Sequence, residues 1–199
     1  MLWFHHIRLI NWRVSWIWYI IAIGIWPGIT FTGYVLGKWI GLPTPVMPAR
    51  PDVPLPLAVI VSFVWTMFFN GPLGEEAGWR GFALPRLQQK FSPLIASIIL
   101  GFIWGAWHWI LDFMHLSANP YMFFTRLGYI ALAILFTWLY NRTKGKSLLP
   151  VFLLHASMNA TNDYLPRVSL TVYALLGIVV LVIILTDRMW RSKSITDID

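Results

Sequence analysis

The chain has no cysteine, which removes thiolate nucleophiles, disulfides, iron–sulfur ligation and every cysteine-based zinc site from consideration, whatever the compartment. Charge is also scarce. Asp, Glu, Lys and Arg make up 12% of the 199 residues, about half the share found in ordinary soluble domains. Glutamate occurs only twice, as the neighbours Glu75 and Glu76. No internal repeat is visible, so the inverted-repeat plan of many transporters finds no support.

What the chain has in abundance is apolar surface, with 58% hydrophobic and 17% aromatic residues. This composition reads as a membrane protein. One crossing takes about 20 helical residues, and apolar runs bounded by polar or Pro/Gly clusters fall at about 14–37, 57–74, 94–112, 121–140, 148–166 and 168–186. The expectation is an all-α, polytopic transmembrane bundle of about six spans. The first run carries Trp16, Trp18 and Trp26 and is followed by no small-residue cleavage site, so it is expected to stay as a helix rather than leave as a signal peptide. Six prolines between Pro43 and Pro56 make the next stretch an extended loop. The natural division is a first span and Pro-rich loop over 1–56, a core over 57–166, and a last span and tail over 167–199.

The net charge of +7 comes from basic residues scattered at segment ends without a cationic run, so a nucleic-acid partner is not expected. Orientation in the bilayer explains it better. With the N-terminus inside, only Lys38, Arg50, Arg126 and Arg167 of the 15 Lys and Arg fall on the outer side, which puts both termini in the cytoplasm.

Adjacent carboxylates beside an apolar run are costly in lipid, and they mark function unless a helix end simply solvates them. On a helix Glu76 and Arg80 share a face at i and i+4 and can pair, whereas Glu75 points about 100° away. Glu76 is then structural, and Glu75 is free to take a proton from water. His108 lies deep in the third span. Glu75 lies 16 residues before Phe91 and His108 lies 16 after Ser92, so a helical hairpin turning at 91–93 brings the two to the same height. Asp112, one turn after His108, either orients the imidazole or sits in the outer interface. In the fifth span His155 and Asn159 share a face at i and i+4. Alone they read equally well as an interhelical clamp, but their depth matches that of Glu75 and His108. A base, an imidazole and two donors around one water make a hydrolytic site. His5, His6 and His115 read as interfacial.

Three patterns in order, Glu75-Glu76-x-x-x-Arg80, Trp104 four before His108, and His155-x-x-x-Asn159, resemble the CPBP family of intramembrane proteases. That family includes type II CAAX prenyl endopeptidases and abortive-infection and bacteriocin-immunity proteins. The likeness covers about 57–166. It implies a prokaryotic cell-membrane endopeptidase with a conical intramembrane cavity opening toward the cytoplasm. Glu75 and His108 would activate the attacking water and His155 and Asn159 would hold the oxyanion. Glu76, Arg80 and the aromatic Trp104 would support them. Trp79 and Trp104 stand where the family usually has Phe, which bears on substrate shape. The implied partner is a peptide or membrane-protein substrate within the lipid bilayer. The preferred mechanism has no cofactor and no metal, since no His-Glu-x-x-His pattern is present; zinc held by Glu75, His108 and His155 is the alternative. Two other readings stand beside the protease: a non-catalytic immunity or scaffold protein using the same bundle, and a proton or ion pathway, which the single glutamate pair argues against.

Overall fold

A computed structural model describes residues 11–42, 52–114, 122–164 and 170–192, without the side chains of 111–114 and 122–126. His5, His6, His115, Arg50 and Arg167 lie outside the described residues, as do the side chains of Asp112 and Arg126. The described residues form helices and turns, with no strand among them: an all-α bundle.

The helices are α1 (Ile17–Trp39), α2 (Leu55–Phe69), α3 (Pro72–Glu76), α4 (Leu84–Gln88), α5 (Pro93–Met114), α6 (Met122–Arg142), α7 (Leu149–Tyr164) and α8 (Leu170–Thr186), with a π-helical stretch, Ala77–Ala83, joining α3 to α4. Of the six expected spans, Ile17–Trp39 and Pro93–Ile110 are each long and apolar enough to cross a membrane alone. The path Leu55–Phe69 plus Pro72–Gln88, bent by 46°, makes a third. Of the other three expected spans, α7 has 16 residues and α8 has 17, and α6 runs over 21 residues with its side chains described from Leu127 on.

The run expected to be continuous over 57–74 is broken. Gly71 adopts φ 99°, a left-handed value open to glycine, and Pro72 starts a new helix with no amide hydrogen to spend. The chain therefore turns inside the bundle and presents Glu75 one turn later.

α1 carries Pro27 in its interior. Proline has no N–H for the carbonyl four residues back, so Ile23 O loses its helical partner. The Ser157 hydroxyl of α7 replaces that partner, donating to Ile23 O at 2.6 Å, the repair by which membrane helices tolerate proline. Ser157→Ala is expected to cost about 1–3 kcal/mol, the desolvation of a buried unpaired carbonyl, measured as a lowered unfolding midpoint in detergent. Close approach of α1 to α8 depends on Gly33. A Cβ there would lie 2.9 Å from the Val172 backbone, and the Thr171 hydroxyl donates to Gly33 O at 2.6 Å. The core lies among α1, α6, α7 and α8, around Trp26, Leu135, Phe136, Val151, Leu154 and Leu176.

Three connections meet at one end of the bundle. Asn141 Nδ2 donates to Gln88 Oε1 at 2.9 Å, Leu94 N donates to Met189 O at 3.0 Å, and Arg142 pairs with Asp187. The turns after α4, α6 and α8 carry Lys90, Lys144, Lys146, Arg188 and Arg191, so this is the basic end.

Candidate active site

Glu76 is fully buried and is the acceptor at the centre of a three-part cluster. One guanidinium nitrogen of Arg80 (Nη1) reaches both its oxygens, at 2.8 and 2.9 Å, as the i, i+4 spacing predicts. His155 Nδ1 lies 2.8 Å from Glu76 Oε1. A carboxylate only accepts, so Nδ1 carries the hydrogen and the ring presents Nε2 elsewhere. This contact with Glu76 is one that the i, i+4 spacing of His155 and Asn159 does not reveal. Arg80 is 1% exposed and lies over the faces of Trp104 and Phe136, its guanidinium carbon 4.8 and 4.5 Å from the ring centroids.

Glu75 points away from its neighbour, as helical spacing requires, and its Oε2 accepts from Trp104 Nε1 at 2.8 Å. The hairpin thus brings α5 against Glu75 through the Trp104 side chain, and Glu75 and His108 line one cavity. His108 follows one turn later. Its Nδ1 lies 3.0 Å from Trp104 O, and because a carbonyl only accepts, Nδ1 carries a hydrogen. The His108 ring stacks on Tyr129, centroids 4.6 Å apart. Asn159 Nδ2 donates to Asn70 O at 3.4 Å, a long bond.

Glu75, His108, His155 and Asn159 all line one cavity of about 270 Å³, with Asn70, Trp104, Tyr129, Met158, Asn162 and Asp163 completing it. Trp104 is the hub that sequence reasoning placed only in support. Its indole meets the His108 and His155 rings edge-on, centroids 5.7 and 5.6 Å apart, and bonds Glu75. Gly71 is a residue that the sequence reading missed. A Cβ there would sit 2.6 Å from Glu75 Oε1, so glycine both turns the chain and leaves room for the carboxylate. The Asn70-Gly71-Pro72 punctuation was the available signal. Asn162 and Asp163 were also missed. They are tied at the helix ends, Trp26 Nε1 donating to Asn162 Oδ1 at 3.2 Å and Ser62 Oγ donating to Asp163 Oδ2 at 2.6 Å.

The zinc alternative asks Glu75, His108 and His155 to share one ion. Among the described residues no group of three or more His, Asp or Glu stands close enough to hold a metal, and the Trp104 indole stands in contact with all three. The donor set does not fit a zinc site in this arrangement, and no step below is routed through a metal.

The cavity has a direction. Its floor is Trp104 and His155, which are 1% and 3% exposed, and its rim includes the exposed Asn70 and Asp163. Along α7 the path from His155 to Asp163 runs away from the Lys144–Lys146 turn by about 12 Å at 1.5 Å per residue. The rim residue Asp163 thus lies toward the end of α7 remote from the basic turns. Since the chain has no native cysteine, Lys144→Cys and Asp163→Cys each report one end. The two are expected to react with an impermeant maleimide from opposite sides of sealed vesicles, and labelling from one side would overturn the placement.

Residues 56–161, just over half the chain, match the family model described as Type II CAAX prenyl endopeptidase Rce1-like. A curated protein, CAAX prenyl protease 2 of Methanococcus maripaludis, is 30% identical over 125 residues, covering 57% of this chain and 46% of that protein. The chain spans about half the length of that relative.

Proposed function

The chain belongs to the Rce1-like family of type II CAAX prenyl endopeptidases, and from that premise we propose that it is an intramembrane endopeptidase whose catalytic core is 57–166. The observation that supports this best is the convergence of Glu75, His108, His155 and Asn159, from three separate stretches of chain, on one cavity. Glu75 and His108 Nε2 hold a water between them. As its oxygen attacks the peptide carbonyl carbon, Glu75 takes one proton. The negative charge that develops on the carbonyl oxygen accepts hydrogen bonds from Asn159 Nδ2 and from the Nε2–H of His155, a ring that enters and leaves the step with a hydrogen on each nitrogen, Glu76 holding the Nδ1 side. The C–N bond breaks as Glu75 returns its proton to the leaving amine. Trp104 fixes the carboxylate that moves the proton, and Arg80 fixes Trp104.

The substrate is a peptide or membrane-protein segment cut near the face onto which the mouth opens. The relative's name extends this to CAAX-type peptides, a substrate class carried by the likeness alone. No cofactor is required in this scheme. The test is to compare peptide termini in membranes expressing the chain or its Glu75→Gln form. A new terminus present only with the unaltered chain supports hydrolysis. An identical set of termini, with the biological effect retained, supports a scaffold or immunity role.

A further inference from the structure

We propose that the basic end of the bundle carries a second binding site, separate from the catalytic cavity, that holds the phosphate headgroup of an acidic phospholipid. A cavity of about 610 Å³ opens there, lined among others by Trp138, Arg142, Lys144, Asp187, Arg188 and Arg191. Four cations face one carboxylate, and that carboxylate is engaged by Arg142. Among the described residues no carboxylate pairs with Lys144, Arg188 or Arg191. Like charges gathered in a concavity repel, and an anionic occupant relieves the repulsion.

The backbone points the same way. α6 and α8 end in the same αL-capped turn, Gly145 N bonding Tyr140 O at 3.1 Å and Met189 N bonding Ile184 O at 3.1 Å. The residue that must adopt the left-handed conformation in such a cap is ordinarily glycine. Here it is Lys144, at φ 54°, and Arg188, at φ 49°. Attraction of cations to a helix C-terminus explains basic residues anywhere in the last turn, but not their presence at the one position where a side chain is disfavoured. Both flank the same cavity.

The occupant follows from place and charge. The cavity lies where α6 and α8 reach the end of the apolar bundle, the level of lipid phosphates, and Trp138 supplies the amphipathic ring suited to that level. Basic concavities between membrane helices select acidic headgroups over zwitterionic ones. The double variant Lys144→Gly/Arg188→Gly removes two charges while installing the residue that both caps favour, so the fold is expected to be at least as stable.

The test is equilibrium binding of dihexanoyl phosphatidylglycerol, dihexanoyl phosphatidylcholine and inorganic phosphate to the full chain in a neutral detergent. The unaltered protein is expected to bind the phosphatidylglycerol at least about tenfold more tightly than the phosphatidylcholine, and the double variant to lose about fivefold per charge removed with its melting temperature unchanged or raised. Equal binding of the two lipids, or undiminished phosphatidylglycerol binding by the double variant, overturns the proposal. Inorganic phosphate binding as tightly as the lipid overturns the lipid source.

Discussion

Glu75→Gln is expected to lower peptide hydrolysis by roughly 10²–10⁴-fold, the range for loss of a positioned general base, while leaving the protein folded and inserted. Glutamine has the same shape, and its amide oxygen can accept the Trp104 indole hydrogen that Glu75 Oε2 accepts at 2.8 Å. It cannot take a proton from water. The loss should therefore appear in kcat, with KM, elution profile and thermal stability nearly unchanged. Trp104→Phe provides the complementary result: it keeps an aromatic ring in contact with Arg80 and removes the hydrogen bond, so activity should fall through misplacement of an intact base and by less than in Glu75→Gln. Full hydrolytic activity in Glu75→Gln would remove Glu75 from the chemistry.

The Glu76–Arg80 pair was legible because both partners lie on one helical turn, where spacing alone fixes the face. The helical hairpin that carries Glu75 back toward α5 was legible from the Ser92-Pro93 turn and the apolar runs on either side of it. The π-helical winding of Ala77–Ala83 was not, because nothing in the composition of that stretch distinguishes it from an α-helical one. The capture of His155 Nδ1 by Glu76 was also hidden. The two residues are 79 apart in the chain, and helix periodicity carries no information on which of two nearby polar groups a ring will choose. In each case local geometry could be read from residue spacing, and the packing between distant segments could not.

Glu76→Gln is expected to destabilise the bundle by about 3–5 kcal/mol, because it strands a buried cation. Arg80 is 1% exposed and its Nε has no hydrogen-bond partner, so Glu76 carries nearly all the compensation for its charge. Removing the second charge as well should reverse most of the loss. In Glu76→Gln/Arg80→Met the glutamine oxygen can still accept from His155 Nδ1, and methionine fills the space between Trp104 and Phe136 without a charge to solvate. A double-mutant cycle by chemical unfolding in detergent is expected to give a coupling of about 3 kcal/mol or more between the two positions, and additive losses would show that the pair does not act as a unit. Hydrolysis should not recover with stability. A neutral amide in place of the Glu76 carboxylate accepts a weaker hydrogen bond from His155 Nδ1 and holds the ring that donates to the oxyanion less firmly, so the refolded double variant should remain slower than the unaltered chain by roughly tenfold or more, a deficit that a purely structural role for Glu76 would not produce.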